Sequence, residues 1–82
     1  KMIIKYFAWI KDITNKDQEE IVADYPKNIF ELKEMLSKSH PKLEKHIKND
    51  ILRYAINMEY TYKNTKLSSS DEIAVFPPVS GG

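Results

Sequence analysis

Between Asn28 and Ser39 the chain carries one strong helical pattern. Ile29, Leu32, Met35 and Leu36 recur at three- and four-residue spacing, which places them on one stripe of a helix. Asn28 is a good N-cap, and Glu31 stands three residues on, the spacing of a capping box. Lys33 and Lys38 lie off the stripe. Pro41 disfavours helical backbone at His40, so the helix stops near there. Leu43 and Ile47 form an i,i+4 pair, which predicts a short second helical turn over Lys42–Lys48. A single amphipathic helix among strands can bury its stripe against only one face of a sheet. The other face is left to solvent or to a partner. That restricts the chain to an α+β architecture with one main helix on one face of a mixed sheet.

The strands are read from alternation. Met2, Ile4, Tyr6, Ala8 and Ile10 form one set over Met2–Ile10, and Ile3, Lys5, Phe7, Trp9 and Lys11 form the other. Side chains alternate faces along a strand, so the first set faces the core. Phe7 and Trp9 are then expected outside with the lysines, as a partner surface. Asp12–Asp17 reads as a polar turn in which Asn15 accepts positive φ. Glu19–Tyr25 is expected to complete an antiparallel hairpin, ended by Pro26. Ile51–Asn57 and Tyr60–Lys63 read as strands about a turn at Asn57–Glu59. Asn64–Glu72 reads as a polar loop anchored by Leu67. Ile73–Phe76 is the last strand, with Ile73 and Val75 inward and Phe76 sharing the outer face with Phe7.

Composition narrows the function. The 82 residues suffice for one domain with a modest core. The 13 basic and 12 acidic side chains leave a net charge of +1, which gives no electrostatic case for nucleic acid or membrane as partner. No run is apolar and long enough to span a bilayer, and no signal-peptide pattern is seen, so the cytoplasm is the expected location. Met2 reads as the natural start, with Lys1 ahead of it. There is no cysteine, hence no disulfide, thiolate metal site or thiol nucleophile.

No catalytic constellation appears inside the chain. His40 and His46 lack neighbours at metal-ligand spacing and read as surface residues. Glu19-Glu20 and Asp71-Glu72 point to opposite faces in pairs and read as solvated charge rather than acid/base dyads. Ser68, Ser69 and Ser70 lack a nucleophile-elbow context. Lys38, Lys42, Lys45 and Lys48 are interrupted by Glu34 and Glu44 and read as a solvated face. The only glycines are Gly81 and Gly82, so there is no phosphate-binding loop. By elimination, the one chemically special group is the α-carboxylate of Gly82. Pro77 and Pro78 hold the chain stiff and extended where it leaves the last strand. Val79, Ser80, Gly81 and Gly82 then narrow to a thin, conformationally free end. This rigid-then-thin order suits a tail that enters a narrow site on another protein.

The string Asp71-Glu72-Ile73-Ala74-Val75-Phe76-Pro77-Pro78-Val79-Ser80-Gly81-Gly82 closely resembles the C-terminus of the small subunits of molybdopterin synthase, the MoaD-type sulfur carriers. Met2–Ala8 resembles their start, and the middle matches in its pattern of strands and helix. The resemblance implies a ubiquitin-like β-grasp over residues 1–82, with a flexible tail at 77–82. It implies that Gly82 becomes a thiocarboxylate, that Val79, Ser80 and Gly81 form the inserted tail, and that Phe7, Tyr60, Phe76, Pro77 and Pro78 meet partners. The implied partners are the large synthase subunit, in a heterotetramer, and an adenylyltransferase related to the ubiquitin-activating enzymes. No cofactor is expected on the chain itself, and ATP is used by the activating partner. Many relatives have glycine where this chain has Ser70, which bears on the loop before Asp71. Related carriers for thiamine or tRNA thiolation, lysine-conjugated modifiers, and non-catalytic β-grasp interaction domains share the terminal Gly-Gly or the fold.

Overall fold

A computed structural model describes residues 1–78. Val79, Ser80, Gly81 and Gly82, the expected inserted tail and its reacting end, lie outside the described residues. The elements are β1 (Met2–Tyr6), α1 (Trp9–Thr14), β2 (Gln18–Ile21), α2 (Ile29–Ser39), a 3₁₀ turn at Pro41–Leu43 running into α3 (Glu44–Lys48), β3 (Arg53–Ile56), β4 (Glu59–Thr61) and β5 (Glu72–Phe76). The sheet order is β2-β1-β5-β3-β4. β1 and β5 run parallel at its centre, and every other neighbouring pair is antiparallel. This is the expected mixed sheet. Among the described residues, no helix is long and apolar enough to cross a membrane.

The core lies between the sheet and the helices. Met2, Ile4 and Tyr6 from β1, Ile73 and Val75 from β5, and Leu52 and Tyr54 around β3 meet Ile29, Leu32 and Leu36 of α2 in one buried cluster. Met35 packs on its margin. Leu43 is fully buried, so the short helical turn after Pro41 also serves the core. Leu67 packs against the same cluster from its loop, as the pattern predicts.

The N–H groups of Ile29, Phe30 and Glu31, which have no acceptor within α2, are all satisfied, and Leu32 makes the first intrahelical bond. The Ile29 N–H donates to the Thr65 carbonyl at 3.1 Å and the Leu32 N–H to the Asn28 carbonyl at 3.0 Å. The Phe30 N–H donates to Asn64 Oδ1 and the Glu31 N–H to Asn28 Oδ1, each at 2.8 Å. The Glu31 carboxylate accepts from the Lys27 N–H at 3.0 Å, one residue earlier than a standard capping box.

The largest departure from the sequence pattern is at the first strand. It ends at Tyr6 rather than Ile10, because Ala8 adopts φ 54° and turns the chain into α1. Trp9 therefore opens a helix and leaves the outer sheet face, with its ring 4.8 Å from that of His46. Ile10 is buried as expected, but from a helix. Asn15 has the expected positive φ, 62°, as the C-cap of α1. β2 pairs antiparallel with β1 but ends at Ile21, short of Tyr25.

Candidate functional site

The sheet face away from the helices carries an exposed aromatic patch. The parallel register sets Tyr6 opposite Val75, so the next residue along each chain, Phe7 and Phe76, comes out side by side. The Phe7 N–H donates to the Val75 carbonyl at 3.1 Å and ties the two ends together. Phe76 stands opposite Arg53 across the β5–β3 ladder. Tyr60 on β4 brings its ring to 5.4 Å from that of Phe76, tilted by 50°, within the range of favourable aromatic pairs. Phe7 is 46% exposed and Tyr60 64%. Ala55, Ala74 and Met58 complete an open hollow of about 510 Å³ between these rings. A Lys5–Glu72 ion pair at 3.3 Å stands on its border.

Pro77 and Pro78 follow Phe76 directly, outside any regular element. The tail thus leaves the sheet from the aromatic patch, at the end of a central strand held on both sides. The loop leading into that strand is also fixed. Asp71 accepts from the Ser68 N–H at 2.7 Å and from Asn57 Nδ2 at 2.9 Å, and the Glu72 N–H donates to Asn57 Oδ1 at 3.0 Å. Ser70 is not among the residues of positive φ, so serine fits here without the freedom that glycine would give.

Two sequence expectations are corrected at a second cluster. His40 is no surface residue, and Glu19 is no solvated charge. His40 Nε2 lies 2.8 Å from Glu19 Oε1, with side chains only 12% and 18% exposed. The Tyr6 hydroxyl donates to the same carboxylate and faces His40 at 3.5 Å. Lys16 adds a contact of 3.2 Å to the other oxygen. Burial opposes the Glu19 charge, but hydrogen bonds from Tyr6, His40 and Lys16 outweigh it and hold the carboxyl below its ordinary range. Burial and the neighbouring Glu19 push the Tyr6 phenol up. The helical spacing of Ile10, Ile13 and Thr14 was the available signal for α1. No local signal joins residues 6, 19 and 40.

The cluster is polar and largely buried. Among the described residues, no group of three or more His, Asp or Glu could hold a metal ion. What the described surface offers a partner is the aromatic and apolar area around Phe7, Tyr60 and Phe76.

Residues 4–82 match the model of the ThiS family. A molybdopterin synthase sulfur carrier subunit from Dictyostelium discoideum is 36% identical, over 96% of this chain and 93% of that protein. The crystal structure of SAMP1 from Haloferax volcanii, a small archaeal modifier protein, superposes with a TM-score of 0.79 at 26% identity, covering 99% of this chain and 98% of that one. A chain from the complex of subunits 1 and 2 of the Helicobacter pylori molybdopterin-converting factor gives 0.70 at 26% identity, covering 99% and 97%. The central strand pair, the single main helix and the full-length matches agree: the chain belongs to the ThiS family of ubiquitin-like β-grasp proteins, and within it resembles the sulfur carrier subunits of molybdopterin synthase.

Proposed function

We propose that the chain is the sulfur-carrying small subunit of a molybdopterin synthase, and that Gly82 carries the sulfur as a thiocarboxylate. The observation that carries this reading is the aromatic patch of Phe7, Tyr60 and Phe76 at the root of the Pro77–Gly82 tail. A patch that docks at the root of a tail fixes how far the tail reaches into the partner. The relative from Dictyostelium supports the role through its name, and the Helicobacter complex supports a large-subunit partner.

The chemistry requires help from other proteins. A carboxylate is a poor acyl donor, because oxide would be its leaving group. An adenylyltransferase partner converts the Gly82 carboxylate and ATP into an acyl adenylate and pyrophosphate. Sulfide from a donor then attacks the acyl carbon, AMP leaves, and –COSH results. In the large subunit the thiocarboxylate delivers its sulfur to cyclic pyranopterin monophosphate. Water takes the acyl carbon and the carboxylate returns. A dithiolene needs two sulfurs and each tail delivers one, which fits a heterotetramer. Phe7, Tyr60, Phe76, Pro77 and Pro78 dock, while Val79, Ser80 and Gly81 thread.

The test mixes thiocarboxylated protein with its large subunit and cyclic pyranopterin monophosphate. Molybdopterin should form with the thiocarboxylate and not with the carboxylate. No product from the thiocarboxylated protein would refute the role. The likeness to SAMP1 favours a second reading, a modifier joined to lysines. That reading requires lysine conjugates to form with the activating enzyme and ATP, without a sulfur donor.

A further inference from the structure

We propose that Met58 is a site of reversible oxidation that weakens partner docking. The inference rests on the docking role of the aromatic patch. Met58 sits at the tip of the β3–β4 hairpin, where Ile56 pairs with Glu59 across two residues. Asn57 and Met58 have φ of 49° and 73°, the positive values that a type I′ turn demands at both positions. Glycine meets that demand at the second position without a steric penalty. Here a methionine takes it and is 94% exposed. Its side chain lines the hollow beside Phe7, Tyr60 and Phe76, so the strained position brings an apolar sulfur to the patch.

The other two methionines contrast with it. Met2 is fully buried in β1, and Met35 packs against the core from α2. Peroxide should therefore reach Met58 first. The thioether lone pair attacks one peroxide oxygen, an S–O bond forms, the O–O bond breaks, and water leaves. Sulfur is oxidised by two electrons and the peroxide is reduced. The sulfoxide is polar where the thioether was apolar. Placed against an apolar partner surface, it must be desolvated for docking. Methionine sulfoxide reductases, with a dithiol as the reductant that becomes a disulfide, remove the oxygen as water and reverse the change, so docking becomes sensitive to oxidant without loss of the fold.

The experiment treats the whole protein with dilute hydrogen peroxide, maps oxygen uptake by mass spectrometry, and measures affinity for the large subunit. Met58 should gain one oxygen before Met2 and Met35, and affinity should fall about tenfold. Repair with methionine sulfoxide reductases should restore it. Met58→Leu, compared only with its own untreated sample, should show no change on peroxide treatment. Bound large subunit should protect Met58 from oxidation. Equal affinity before and after oxidation, with Met58 shown to be oxidised, overturns this inference alone. Failure of the untreated protein to bind the large subunit overturns the docking reading and this inference together.

Discussion

Tyr6, Glu19 and His40 show how much a single side chain depends on distant parts of the chain. They lie on β1, on β2 and at the C-cap of α2, so their meeting closes the lower-numbered sheet edge against the main helix. Because Glu19 has a lower pKa folded than unfolded, it stabilises the fold above the ordinary glutamate value of about 4.3, and that stability is lost as pH falls through the folded value. Tyr6 acts at the other limb. Its pKa is raised, so its contribution is present below about pH 10 and lost above it. Glu19→Gln should cost about 1–3 kcal/mol at neutral pH, because donors from Tyr6 and His40 lose a charged acceptor. Thermal melts against pH should show the two proteins converging below about pH 4. A constant gap between the curves down to strong acid would contradict this. Nothing in the sequence near any one of these residues announces the cluster. Alternation placed Tyr6 inward, but only the sheet order and the stop at Pro41 bring Glu19 and His40 to its hydroxyl.

At the scale of the element, legibility follows locality. α2 was readable because its stripe, its N-cap and its stop at Pro41 all act within a few residues. α1 was not, because Ile10 satisfies both a strand that continues from Met2 and a helix shared with Ile13 and Thr14. Alanine at position 8 gives no sign of its φ of 54°, which decides between the two. The second cap of α2 was also hidden, since Asn64 comes from a loop 34 residues away. Asn64→Ala should therefore lower stability by about 0.5–2 kcal/mol, as loss of a side-chain cap does. That corresponds to a fall in Tm of several degrees for a domain of this size. An unchanged melting temperature would mean that water replaces the Asn64 amide without cost. The aromatic patch was legible in part. The outer register of Phe7 and Phe76 follows from alternation, but the same alternation fails for Trp9, which opens α1 instead.

At the scale of the molecule, one sheet face holds the core and the other is free for a partner, with the tail starting at the boundary. Docking and folding are therefore separable. Phe76→Ala should weaken binding to the large subunit by about 1–3 kcal/mol, as an interface anchor does, and leave most of the stability in place. Isothermal titration and thermal melts on the same sample separate the two. A large drop in Tm with binding intact would assign Phe76 to the core instead.

The central claim is that Gly82 reacts through its own terminal carboxyl group at a depth set by the docked patch. Adding one residue after Gly82 moves the reacting carbon by about 3.3–3.6 Å, and a positional error of about 1 Å can cost on the order of a hundredfold in rate. The decisive measurement is molybdopterin formation by the native and one-residue-extended chains, in a reconstituted system with the activating enzyme, sulfur donor and large subunit. The account predicts that the extended chain melts at the native temperature and forms no molybdopterin. Product formed at the native rate by an extended chain that mass spectrometry shows to be untrimmed would contradict it.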